Sequence, residues 1–242
     1  MTKIKMKLKL NHKMINYQII GTGDPFLLIH GWGGSSQSLQ KLAQLLAIKY
    51  QTFVIDLPGF GLTDKPDPGW GVGEYAKFLI DFIEKLNLKP VIYFGHSFGG
   101  GLGIFMAAKY PNQIKKLILC SASYKRNPSK TTKISRFFSW LPPLFKKIVY
   151  KIFFPNSDLF KVPELEENFR KIVTQDLTSS LQAIKTPTLV LWGEKDRETP
   201  IEHAYQLHQK IKNSRLKIFP EIGHNLPLQH PQLVNEEINK FL

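Results

Sequence analysis

A serine with a glycine two positions before it and another two positions after it stands in Gly95-His96-Ser97-Phe98-Gly99. A free hydroxyl is a weak nucleophile, so such a serine does chemistry only when a base takes its proton and a third group orients that base. Small residues at this spacing permit a sharp strand-to-helix turn that exposes the hydroxyl near a helix N-terminus. The chemistry on offer is attack on a carbonyl carbon, with acyl transfer to Ser97. The pattern itself arises often by chance, and its setting decides. Here an apolar run at 91–94 precedes it and a helical stretch at 99–109 follows.

Of the seven histidines, His224 in Gly223-His224-Asn225 is the best candidate base, because it lies just past the predicted strand 216–219. Ligand sites of open parallel sheets are built at the carboxyl ends of the strands. His203 and His208 fall on a predicted helix, His12 in the first hairpin and His230 before Pro231. His30 and His96 belong to the turns that flank the site. For the orienting acid, Asp196 in Trp192-Gly193-Glu194-Lys195-Asp196 follows the strand 188–192, with Glu194 as the alternative. Developing negative charge on the attacked oxygen needs donors, and two backbone N–H groups are candidates. One belongs to Phe98, next after the nucleophile, and the other to Trp32 in His30-Gly31-Trp32-Gly33-Gly34. Read instead as a phosphate cradle, that glycine loop lacks both the dinucleotide spacing and the lysine of a P-loop.

The elements that must hold these residues follow from hydrophobic periodicity. Short apolar strands are predicted at 14–20, 26–29, 52–55, 91–94 and 116–119, with helices at 38–48, 74–86 and 99–109. The alternation breaks at about Tyr124 and resumes with strands at 188–192 and 216–219 and helices at 201–212 and 231–242. Such alternation predicts an α/β fold, a mostly parallel sheet with helices on both faces. The core spans 1–124 and 181–242, and 125–180 is an inserted lid (cap). At the start of the chain Lys3, Lys5, Lys7 and Lys9 alternate with Ile4, Met6, Leu8 and Leu10, which predicts a half-buried strand with lysines outward, guarding a sheet edge.

A chain of 242 residues with 43% hydrophobic and 21% charged residues is neither disordered nor low in complexity. No uncharged apolar run reaches the ~18 residues of a membrane span. Because no apolar run follows the first lysines, the expectation is a protein without an export signal, in the cytoplasm. The single Cys120 excludes a disulfide framework and a cysteine-built zinc site. Net charge is +14, and the stretch 125–175 carries eleven Lys and Arg against four acidic residues. A solvated basic face is the plain reading of that segment, and a weak contact with an anionic surface or substrate is the alternative. No nucleic-acid motif accompanies the charge, so no nucleic-acid partner is expected.

Taken together, His30-Gly31-Trp32, Asp56-Leu57-Pro58-Gly59-Phe60-Gly61, Gly95-His96-Ser97-Phe98-Gly99-Gly100, Gly193-Glu194-Lys195-Asp196 and Gly223-His224 resemble the α/β-hydrolase fold family, in its esterase, C–C hydrolase and haloperoxidase branch. The resemblance covers nearly the whole chain except 125–180. It implies a serine hydrolase of the carboxylesterase type, with Ser97, Asp196 and His224 as catalytic triad in that chain order and Trp32 and Phe98 as oxyanion hole. It also implies a lid roofing the pocket, no cofactor and no metal, and as partner a small to medium acyl substrate, ester or thioester. Substrate contacts are expected from His30 and from the aromatic lid residues Phe137, Phe138, Trp140 and Phe145. Relatives that are dehalogenases or epoxide hydrolases carry Asp where this chain has Ser97. C–C hydrolases resembling it commonly have Trp where this chain has Asn225, which disfavours that reading without removing it. A non-catalytic binding module of the same fold remains a third reading, and it calls for a broken triad, whereas these positions are all filled.

Overall fold

The structure is a computed structural model, and residues 3–125 and 162–242 are described. The predicted lid residues Phe137, Phe138, Trp140 and Phe145 lie outside them. The strands are β1 (Lys3–Leu10), β2 (Lys13–Ile20), β3 (Pro25–Ile29), β4 (Gln51–Ile55), β5 (Val91–His96), β6 (Ile114–Cys120), β7 (Thr188–Gly193) and β8 (Ser214–Phe219). The helices are α1 (Gln40–Leu46), α2 (Val72–Lys85), α3 (Phe98–Lys109), α4 (Glu166–Thr174), α5 (Ile201–Lys210), α6 (Leu226–Gln229) and α7 (Pro231–Phe241).

The eight strands among the described residues form one sheet in the order β1-β2-β4-β3-β5-β6-β7-β8. β1 pairs antiparallel with β2 and β2 antiparallel with β4, and every pairing from β4 to β8 is parallel. The fold is α/β. Successive residues of the central strands feed two cores, as the period of two requires. Leu27, Ile29, Tyr93, Leu117, Leu119, Val190 and Trp192 pack with Tyr75, Leu79 and Phe82 of α2, Leu102 and Met106 of α3 and Leu207 of α5. Phe26, Leu28, Ile92, Phe94, Ile118, Leu189 and Leu191 pack with Leu42 and Leu46 of α1 and Val234 and Ile238 of α7. Burial on both faces is why these strands read as unbroken apolar runs.

β1 departs from its predicted half burial. It is an edge strand, with Ile4 50% and Met6 38% exposed and only Leu10 buried. Period two sets which side chains share a face; whether that face is covered depends on what lies beyond the edge. Within 125–180, where no regular alternation was expected, residues 162–180 contribute α4 and flanking 3-10 turns. Asn168 of α4 donates to the carbonyls of Asp67 and Trp70 (3.0 and 3.4 Å), which docks this helix on the loop before α2.

Candidate functional site

β5 runs straight into α3 through Ser97, whose backbone sits at φ +51°, ψ −113°. A side chain in that sparsely populated region costs on the order of 1–3 kcal/mol, which the surroundings must offset. They do so with hydrogen bonds. Ser97 N–H donates to the Cys120 carbonyl (3.0 Å), and the Ser97 carbonyl accepts from Gly101 (3.1 Å) and Ser123 (2.9 Å). The glycines are required by close approach. A Cβ on Gly95 would lie 2.2 Å from the Gly99 carbonyl oxygen, and one on Gly99 would lie 2.5 Å from that of Ile29. The turn therefore packs tightly on the end of β3, where the glycine loop begins.

That loop is a turn closed by Gly34 N–H on the Gly31 carbonyl (3.0 Å), with Gly33 at φ +74°. Glycine at the third position of such a turn fits the positive φ that a type II turn demands. His30 braces it from below. Its Nδ1–H donates to the Gly31 carbonyl (2.7 Å) and its Nε2 accepts from Leu57 N–H (3.1 Å). Burial lowers the His30 pKa, with the Gly31 bond and the Asp56 charge opposing. At 1% exposure, with both ring nitrogens spent on backbone, His30 supports the loop and is not among the described residues that line the cavity. The Trp32 ring packs edge-on against Phe60 and Phe98, and Phe169 of α4 reaches it at 5.2 Å.

Asp196 follows β7 and His224 follows β8, adjacent strands, and the two side chains meet: His224 Nδ1–H donates to Asp196 Oδ2 at 2.9 Å. The carboxylate is buried and fully occupied. Oδ1 accepts the backbone N–H groups of Glu198 (3.0 Å) and Thr199 (2.8 Å), and Oδ2 also accepts the Thr199 hydroxyl (2.8 Å). Burial alone would raise the Asp196 pKa, but the bonds and charge from His224 and the Thr199 donors together hold it below the usual value. Glu194, the alternative acid, is exposed and instead accepts from the Glu221 N–H (3.3 Å).

His96 holds His224 from the other side. Its Nε2 lies 2.9 Å from the His224 carbonyl, which can only accept, so Nε2 carries the proton. The rings lie 4.9 Å apart. Burial, aided by the nearby His224, pulls the His96 pKa down to about 3, so this imidazole is neutral. Sequence reasoning placed His96 in the turn without this role.

Ser97, His96, His224, Asn225 and residues 31–34 line one cavity of about 200 Å³. Glu198 lines it too, with Oε2 3.4 Å from His224 Nε2, the ring nitrogen turned away from Asp196. Nothing in the sequence analysis singled out Glu198. The available signal was its place two residues after Asp196, in a turn whose amides return to that carboxylate. Among the described residues, no group of three or more His, Cys, Asp or Glu side chains is placed to hold a metal ion. No helix among them is long and apolar enough to cross a membrane.

The alpha/beta hydrolase fold family matches this chain over residues 24–164 and 160–231. The chain belongs to the α/β-hydrolase family. It is 28% identical to the hydrolase YugF of Bacillus subtilis over 240 residues, 88% of each chain. It is 25% identical to a 2-hydroxy-6-oxo-2,4-heptadienoate hydrolase of Pseudomonas putida, across 94% of this chain and 92% of that one. Among solved structures, a candidate lipase, lip1 of Acinetobacter baumannii, superposes with a TM-score of 0.80 at 24% identity, covering 99% of this chain and 90% of the other. This α/β-hydrolase is thus similar in sequence to other hydrolases and shares its fold with the Acinetobacter baumannii protein.

Proposed function

We propose that the protein is a serine hydrolase that cleaves esters or thioesters of small to medium acyl substrates through a covalent acyl-enzyme. The observation that carries this reading is the Asp196–His224 bond of 2.9 Å on the wall of the same cavity that Ser97 opens into from its strained turn. His224 Nε2 takes the Ser97 proton as Oγ bonds to the carbonyl carbon. Negative charge gathers on the carbonyl oxygen, where the N–H groups of Phe98 and Trp32 receive it. His224 then returns the proton to the leaving alcohol or thiol as the C–O or C–S bond breaks. Water, deprotonated by the same imidazole, releases the acid and restores Ser97. Asp196 keeps the proton on Nδ1 and stabilises the imidazolium. Residues 125–180 serve as lid, with Phe169 on the Trp32 ring as their described contact with the loop.

A fluorophosphonate probe followed by peptide mapping tests this reading. Labelling of Ser97, lost in Ser97→Ala, supports it; labelling that survives the substitution overturns it. A panel of aryl esters and acyl thioesters of graded chain length then sets the acyl preference. The similarity to the Pseudomonas putida dienoate hydrolase favours a second reading, C–C bond hydrolysis by the same residues. Turnover of a dienoate ring-fission product in excess of ester turnover would select it.

A further inference from the structure

The charge around the site opposes the charge of the whole. The chain carries +14, yet among the described residues lining the Ser97 cavity no Lys or Arg appears, and the single acidic side chain there is Glu198. Its carboxylate stands 3.4 Å from His224 Nε2, the atom assigned to exchange the proton with Ser97. Its backbone is pinned, because Glu198 N–H donates to Asp196 Oδ1 at 3.0 Å. The Glu198 side chain is half exposed and makes no ion pair with Lys or Arg among the described residues. Glu198 also lines a second cavity of about 150 Å³, between Tyr124, Leu177 and Ile172 of α4, so it stands where the two spaces meet.

We infer that Glu198 is a specificity-determining residue which favours substrates bearing an ammonium group and disfavours those bearing a carboxylate. The inference rests on the serine-hydrolase reading of the same cavity. When His224 Nε2 is within about 3 Å of Ser97 Oγ, as proton transfer requires, Glu198 lies within about 6–7 Å of the acyl carbon's attack point. A cation three to five atoms from that carbon reaches the carboxylate. A carboxylate in the same position meets like charge. Because Glu198 is half exposed, water and salt weaken the effect, and a preference on the order of tenfold between cationic and anionic substrates is expected at low ionic strength.

Three thioesters of one thiol differ mainly in end charge: 4-(trimethylammonio)butanoyl, the isosteric 5,5-dimethylhexanoyl and glutaryl. Their kcat/KM values are measured for the wild type, Glu198→Gln and Glu198→Lys at low and physiological salt. The expected result is a cationic-to-anionic ratio of about ten in the wild type, near one in Glu198→Gln and below one in Glu198→Lys, with salt compressing all three. Labelling rates of Ser97 by an ammonium-bearing and an isosteric neutral fluorophosphonate read the same preference without turnover. Cleavage or labelling whose charge ratio is the same in all three proteins overturns the role of Glu198 alone. Absence of cleavage and of Ser97 labelling in the wild type overturns the serine-hydrolase reading and this inference with it.

Discussion

Lowering the pH from 8 to 5 should weaken the fold through His96 before any carboxylate titrates. His96 is buried beside His224 with its pKa drawn from 6.5 down to about 3. In the unfolded chain the ring takes up a proton near pH 6.5, which the folded ring refuses. Stability from this source is therefore complete above about pH 6.5 and is lost as the pH falls from there towards 3. Linkage puts the loss at about 2 kcal/mol by pH 5 and roughly 4–5 kcal/mol by pH 3. His30, also buried with a lowered pKa, adds loss of the same sign. Asp196, held below its usual value, contributes only below about pH 4, the unfolded carboxylate range, so it does not blur the window. The assay is urea unfolding at pH 8, 6.5, 5.5 and 5, for the wild type and His96→Gln. Glutamine can still donate to the His224 carbonyl but has no titration. The variant should be less stable at pH 8 by about 1–2 kcal/mol, from imperfect packing. It should also lose about 2 kcal/mol less than the wild type between pH 8 and 5. Parallel pH profiles for the two proteins would refute the argument, since His96 would then be taking up its proton in the folded state as readily as in the unfolded one.

Ser97→Ala is expected to cut ester turnover by at least ~10³-fold with the urea midpoint almost unchanged. Ser97→Gly should also abolish turnover but raise stability by about 1 kcal/mol, because glycine relieves the φ of +51°. Asp196→Asn should lower kcat by up to ~10⁴-fold through the wrong His224 tautomer, while Glu194→Gln stays within about twofold; steady-state kinetics of both variants decides. Gly99→Ala should destabilise by about 1–3 kcal/mol in urea unfolding, because its Cβ would meet the Ile29 carbonyl oxygen at 2.5 Å.

Strand positions were legible because burial on both faces leaves an unambiguous apolar run. β5 and β7 are buried throughout, and their ends place Ser97 and Asp196 at the carboxyl edge of the sheet. The pairing of β7 with β8 then brings Asp196 and His224 together, and that adjacency of strands is the one step which alternation alone does not contain. β1 shows the opposite case. Its lysine alternation is as regular as any in the chain, yet Ile4 and Met6 are exposed, since periodicity describes a side chain's direction and not its cover. His30 and His96 were legible as turn residues but not as supports. Their partners are backbone carbonyls and amides at Gly31, Leu57 and His224, and backbone groups are the same at every position of a sequence. Glu198 escaped notice because a charged residue in a polar turn reads as solvated. Its significance comes only from a distance of 3.4 Å to a ring 26 residues onward.

Charge acts at two ranges in this molecule. Half of the surplus of +14 falls in the stretch 125–175, and at physiological salt the influence of an exposed charge fades beyond about 8 Å. Such a surplus raises the rate at which anions or anionic surfaces are encountered. Selection beside Ser97 falls to groups within a few ångströms, where the neutral ring of His96 contributes shape and a hydrogen bond, and the Glu198 carboxylate contributes field. Asp196 differs from Glu198 although both are carboxylates on the same turn. Asp196 is enclosed, its oxygens filled by His224, Thr199 and two backbone amides, so its charge is already spent within these hydrogen bonds. Glu198 is half open to solvent and faces Nε2, so its charge remains available to a substrate. One turn of four residues thus supplies both an inward charge that holds His224 and an outward charge open to what approaches that ring.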